Sequence, residues 1–262
     1  MTHHEVDRLI AALALPESTR VDQRVPKKLL AEQDVATAAD RRLVQDGVEE
    51  IVWLAALKPH VIGVPAFEDA QRHYAELAVL HLSLKSGAKP ARLVQLLHRA
   101  VPYPVLLFTT SDAGIAISMA HLRTSQNEAR KTVLDGELLA VALPEPSRTP
   151  CGQDAAFRMN LALVQQPQSN LYALYQGWVD TIDALEMAHE TGSFRLSLTR
   201  EHAAARHAAL HSYRQLKVHL TNLRALAERE KQIARQVALN HEIQAAQSQL
   251  QALQRTLTAE AA

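Results

Sequence analysis

The last seventy residues, Ser193 to Ala262, contain neither proline nor glycine. A stretch that long without either breaker reads as one long helix. Its apolar residues fall into seams. Leu239, Ile243, Ala246, Leu250, Leu253 and Leu257 are spaced 4-3-4-3-4, the pattern of a coiled-coil face. Leu216, Leu223, Leu226, Ile233 and Val237 make a second register, interrupted by Glu230, and the phase slips near Asn240. An apolar seam must be covered. The expected cover is a partner protein or a second copy, with Leu226, Ile233, Val237, Asn240, Ile243, Leu250, Leu253 and Leu257 as the docking residues. Packing back onto the chain's own domain is the alternative.

Charge sharpens that expectation. The whole chain carries no formal net charge, 28 basic side chains against 28 acidic ones, so it is not a basic sleeve for DNA. The last seventy residues differ, with ten Lys and Arg against five Glu. Arg224, Arg229, Lys231 and Arg235 are therefore the candidate nucleic-acid contacts. The smaller basic groups Arg24/Lys27/Lys28, Arg41/Arg42, Lys89/Arg92/Arg99 and Arg123/Arg130/Lys131 lie among acids and read as solvated faces.

Upstream, the pattern is mixed. Helices are expected over 6–15, 39–58, 90–100 and 171–189. Strands are expected over 74–84, 105–109, 115–120, 133–143 and 157–164, with a hairpin turn at 111–114. At 47%, apolar content allows a core, and at 4% aromatic that core is aliphatic, which disfavours a base-stacking sheet. The fold class is α+β: a small mixed β-sheet covered by helices, followed by a long C-terminal coiled-coil helix. The expected divisions are a mixed α/β domain over 1–143, a linker over 144–154, a helical and strand extension of the core over 155–192, and the basic helix over 193–262.

No motif for catalysis is complete. Phosphate-binding, dinucleotide-binding and nucleophile-elbow signatures are missing. The best enzymatic candidate is a degenerate metal-dependent nuclease strand. Glu76 would hold a metal and Lys85 would assist the attacking water, but Ser83 stands where a second carboxylate belongs. Glu68 and Asp69 are the other acids near it. His207 and His211 have the i, i+4 spacing of a metal face without a third ligand. Cys151 is the only cysteine, which excludes an internal disulfide, and it reads as a loop thiol. His98 and Tyr103 lie at a helix-to-strand break, where a pocket or plain packing would place them. No cofactor and no metal is expected. The N-terminus lacks a signal pattern and no apolar run nears the roughly 18 residues that span a bilayer. The expected location is the cytoplasm, away from membrane.

Three stretches in order carry a resemblance. They are Val25-Pro26-Lys27-Lys28; Glu50 to Pro59 (EIVWLAALKP) with His98 to Phe108 (HRAVPYPVLLF); and Arg229 to Asn240 (REKQIARQVALN). Together they resemble the bacterial domain-of-unknown-function 4391 family over nearly the whole chain. Members of that family tend to be encoded beside Swi/Snf-type helicases and DNA methyltransferases in restriction or phage-defence-like loci. The resemblance implies a defence-associated accessory protein and carries over no catalytic residue. The expected function is a non-enzymatic adaptor that joins a helicase or methyltransferase through its coiled coil, with homodimerisation and DNA contact as further possibilities. The alternatives are the diverged nuclease around Lys85 and a plain nucleic-acid-binding module.

Overall fold

The computed structural model describes residues 2–31, 37–125, 132–143, 153–197 and 199–258. The chain forms two compact units, Met1–Ile182 and Asp183–Ala262. In chain order the first unit begins with helix α1 (Thr2–Ala12), strand β1 (Arg20–Arg24), the one-turn α2 (Lys28–Ala31) and α3 (Ala38–Gly47). Then come β2 (Val48–Leu57), the short α4 (Pro59–Ile62), the two-residue β3 (Phe67–Glu68) and β4 (His73–Tyr74), and β5 (Leu77–Leu84). They are followed by α5 (Pro90–Ala100), β6 (Val105–Ser111), β7 (Gly114–Thr124), β8 (Thr132–Ala142), α6 (Gln153–Leu161) and α7 (Leu171–Thr191). The chain ends in α8 (Arg200–Arg229) and α9 (Ile233–Thr258).

The sheet has six strands in the order β1-β2-β5-β6-β7-β8. Only β5 and β6 run parallel, joined through α5; the other neighbours are antiparallel. A parallel pair needs a crossover, and Pro90 at the first helical turn starts it. Every residue of β5 is buried, as an apolar strand covered on both faces should be. On one face Leu80, Leu82, Val105 and Leu107 pack with Leu93, Val94, Leu96 and Leu97 of α5 and with Val44 of α3. The other helices bury Leu9, Phe157, Leu161, Leu174 and Trp178 and are also tied in by polar bonds. Trp178 Nε1 donates to Leu161 O at 2.9 Å, linking α7 to α6. Arg158 pairs with Glu5, linking α6 to α1.

Three expectations are corrected. The helix over 39–58 is α3 followed by β2. Thr37 starts α3 with a reciprocal cap on Asp40, and β2 then pairs with β1 and β5. The register of β2 shifts twice against β5, between Val48 and Glu50 and between Trp53 and Ala55. Each shift adds a residue to the period-2 alternation. The buried residues Val48, Ile51 and Ala55 therefore acquire helical spacing within a strand. The strand over 157–164 is the last part of α6 and a 3-10 turn at Leu163–Gln165; a short apolar run cannot be assigned by periodicity.

The long C-terminal helix is two helices. Glu230 ends α8, its N–H bonding to Leu226 O at 3.0 Å and its Oε1 accepting from Gln232 N at 2.9 Å. A side chain closes this turn, so no glycine or proline marks it. Early α8 residues Ala209, Leu210 and Tyr213 pack with Leu250, Leu253 and Leu257. Late ones, Leu220 and Leu223, pack with Leu239, Ile243 and Ala246. The two helices form an antiparallel hairpin. Arg214 pairs with Glu186, and Lys217 Nζ lies 2.7 Å from Glu190, fastening α8 to the end of α7. The expected linker lies outside the described residues up to Gly152, as do Cys151, Arg130 and Lys131.

Candidate functional site

The turn of the C-terminal hairpin gathers the sequence's best docking candidates. Leu226, Ile233 and Val237 are 56%, 79% and 51% exposed, unusual for three large aliphatic side chains within one short stretch of chain. Asn240 is exposed beside them. Arg224, Arg229, Lys231 and Arg235 are all exposed around the same turn. None of the four pairs with a carboxylate among the described residues. Glu228 and Glu230 are the acids between them, so the turn keeps a positive excess. The predicted seam is therefore divided. Its first part, Leu226, Ile233, Val237 and Asn240, is exposed around the turn. Its second part, Ile243, Leu250, Leu253 and Leu257, packs inside the hairpin. An open groove of about 520 Å³ between α8 and α9, lined by Gln215, Leu216, His219, Gln249 and Leu253, lies along the hairpin.

The nuclease residues are not brought together. Glu76 precedes β5 and Lys85 follows it, so roughly 30 Å of extended chain separates them. Glu76 lies 3.7 Å from Lys58, and Lys85 Nζ donates to Gln45 O at 3.1 Å. Ser83 sits instead in a buried chain, with Thr110 Oγ1 3.4 Å from Ser83 Oγ and 3.1 Å from His81 Nε2. Glu68 and Asp69 belong to the β3–β4 hairpin; Asp69 Oδ1 accepts from the backbone N–H groups of Gln71 and Arg72. His207 and His211 are exposed, and His211 Nε2 lies 2.8 Å from the Gln215 amide nitrogen. Among the described residues no group of three or more His, Cys, Asp or Glu could hold a metal ion. His98 is buried, its Nε2 3.0 Å from Ser118 Oγ. Tyr103 packs against Trp53, ring centres 6.4 Å apart.

A relay that sequence reasoning missed runs from the sheet to α7. Tyr74 Oη lies 2.7 Å from His121 Nδ1, His121 Nε2 lies 3.0 Å from Gln176 Oε1, and Gln176 Nε2 donates to Asp180 Oδ1 at 2.8 Å. Burial holds the Tyr74 hydroxyl well above its ordinary pKa and pushes His121 down. At neutral pH the chain thus runs one way: tyrosine O–H to Nδ1, Nε2–H to the amide, amide N–H to the carboxylate. Tyr172 stacks on Phe67 with centres 4.9 Å apart, and the Arg72 guanidinium lies 5.4 Å from the Tyr172 ring. Asp135 accepts from Arg72 Nε at 2.8 Å. The only sequence trace is a polar stripe on α7, Tyr172, Tyr175, Gln176 and Asp180, at spacing that gives one helix face. The relay ties α7 to β4 through Tyr74 and to β7 through His121.

A cavity of about 350 Å³ lies between α1 and the sheet edge, lined by Asp7, Ile10, Arg20, Asp22, Leu54 and Val79 among others. Asp22 has φ of 46°, a left-handed conformation uncommon outside glycine, where the register of β1 shifts against β2.

No helix among the described residues is long and apolar enough to cross a membrane. No curated protein and no solved structure matches the chain. The pattern of one family, described as a domain of unknown function, matches residues 13–250, nine-tenths of the sequence and both compact units. The chain belongs to the DUF4391 family.

Proposed function

We propose that this protein is a non-enzymatic accessory protein of a DNA-directed, restriction-modification-like defence system. It acts in the cytoplasm and docks a helicase or DNA methyltransferase through the turn of its C-terminal hairpin. The observation that carries this reading is the exposure of Leu226, Ile233 and Val237 in the same stretch of the hairpin as the exposed Arg224, Arg229, Lys231 and Arg235. Apolar side chains in a cationic frame suit a partner with an apolar pocket and an acidic rim, because the charges steer encounter while the aliphatic groups hold the complex. The family resemblance supports the choice of partner, since members of that family tend to be encoded beside such enzymes.

Affinity capture from the native host after nuclease treatment tests it. Near-equal recovery of a helicase or methyltransferase is expected with the parent protein and not with Ile233→Asp. Recovery of neither enzyme with the parent would overturn the reading. The four exposed cations also favour a second reading, direct contact of the same turn with nucleic acid. It predicts salt-sensitive binding of duplex DNA by the purified protein, weakened by neutralising Arg224, Arg229 and Arg235. Binding unchanged in that triple variant would dispose of it.

A further inference from the structure

At the start of α8, far along the hairpin from its exposed turn, a buried arginine faces no anion among the described residues. Thr199 caps the helix, its Oγ1 accepting from His202 N at 3.1 Å. Helical side chains lean toward the N-terminus, so Arg206, two turns in, reaches back to the segment before the cap. There its Nη1 donates to Arg195 O at 2.9 Å and lies 3.4 Å from Ser197 Oγ. Arg206 is only 2% exposed, and its Nε and Nη2 are buried without any hydrogen-bond partner. One turn earlier, His202 Nδ1 is likewise buried and unpartnered. His202 and Arg206, spaced i, i+4, share a helix face.

Nε and Nη2 are the two nitrogens with which an arginine grips both oxygens of one anion side-on. The same chain contains the filled version. Arg92 donates from Nε to Asp40 Oδ1 and from Nη2 to Asp40 Oδ2, each at 2.8 Å. The two guanidinium groups differ electrically as expected. Arg92 is raised by its carboxylate, whereas Arg206 is lowered, first by burial and then by the like charge of Arg195. A guanidinium keeps its charge when buried. A buried charge without a counter-ion is the costliest way to place an arginine, and the helix N-terminus adds to the positive potential.

We propose that Arg206, with His202 beside it, is the fork of an anion site that takes a two-oxygen face, that of a phosphate or a carboxylate. The bound anion receives Nε–H and Nη2–H of Arg206 and sits on the positive end of α8. The site is independent of the docking reading. Its residues lie at the opposite end of α8 from the exposed turn, so either proposal can fail alone.

The test uses the full chain and measures its melting temperature in inorganic phosphate, in acetate and in chloride at matched ionic strength. At about 100 times the dissociation constant, a ligand bound only by the folded state raises Tm by about 5 °C in a protein of this size. That rise is expected with phosphate or with acetate over chloride, and which of the two gives the larger rise identifies the source of the anion. It is expected to shrink severalfold in Arg206→Lys, which keeps the charge but loses the fork, and to vanish in Arg206→Met. No rise with either anion, or an equal rise in Arg206→Met, would overturn the proposal. Should Arg206→Met not fold, Arg206→Lys decides: an undiminished rise overturns the fork. Isothermal titration with phosphate and acetate gives the same comparison without heating.

Discussion

His98 shows what burial does to a titrating group here. It is 1% exposed with Ser118 as its partner, and burial pushes its pKa down to about 3. In the unfolded chain it titrates near the ordinary value of about 6.5. The folded state therefore binds fewer protons between those two values, and stability falls as pH falls through that window. Each such histidine contributes a slope of up to about 1.4 kcal/mol per pH unit. His121 is lowered by burial as well and acts in the same direction. Urea midpoints should thus be lower at pH 5 than at pH 7.5, and His98→Gln should flatten the difference; a midpoint independent of pH would contradict the burial. Gly177 offers a steric counterpart. A Cβ there would stand 2.5 Å from Pro167 Cδ and 2.6 Å from Gln166 Oε1. Gln166 cannot swing away cheaply, because its Nε2 donates to Asn160 O at 2.6 Å. Gly177→Ala should destabilise by about 1–3 kcal/mol in chemical denaturation, despite the better helix propensity of alanine. Neither effect is legible in the sequence, where His98 is one of thirteen histidines and Gly177 is an interruption in a helical pattern.

At the scale of elements, the hairpin separates two roles that one heptad pattern merges. Ile233 is exposed at the turn, whereas Leu250 packs with Leu253 and Leu257 against α8. Ile233→Asp should leave helicity and melting unchanged within about 0.5 kcal/mol while abolishing capture of the partner. Leu250→Asp should lower far-ultraviolet helicity and stability by about 2 kcal/mol or more, since it puts a charge inside the seam. Equal effects of the two on melting would mean that the turn is not a free surface. The sequence shows the seam well, because a 4-3 spacing depends only on which residues are apolar. It does not show that the seam closes within the chain, because the same leucines satisfy α8 or another molecule. It also hides the turn, because Glu230 makes it through a side-chain bond in place of a glycine. β2 was hidden for a related reason: its two register shifts mimic helical spacing. β5, β6 and β7 were plain, being short apolar or alternating runs between strong turn residues.

For the molecule as a whole, the division at Ile182 and Asp183 gives two units with different reporters. Both tryptophans, Trp53 and Trp178, lie in the first unit, so tryptophan fluorescence excited at wavelengths that spare tyrosine follows that unit alone. Far-ultraviolet dichroism is dominated by helices, and α8 and α9 belong to the second. Among the described residues the second unit contains two small apolar clusters. It should lose structure at lower urea than the first, giving a dichroism midpoint below the fluorescence midpoint; coincident curves would show one cooperative block. The side-chain turn at Glu230–Gln232 has one more consequence. Nothing there fixes the backbone as a glycine or proline would, so straightening those three residues would join α8 and α9 into a single rod. A rod exposes both seams at once, and two rods side by side would rebuild, between chains, every apolar contact that each hairpin makes within itself. Such an exchange of α9 between two chains would grow with protein concentration, as any dimerisation does.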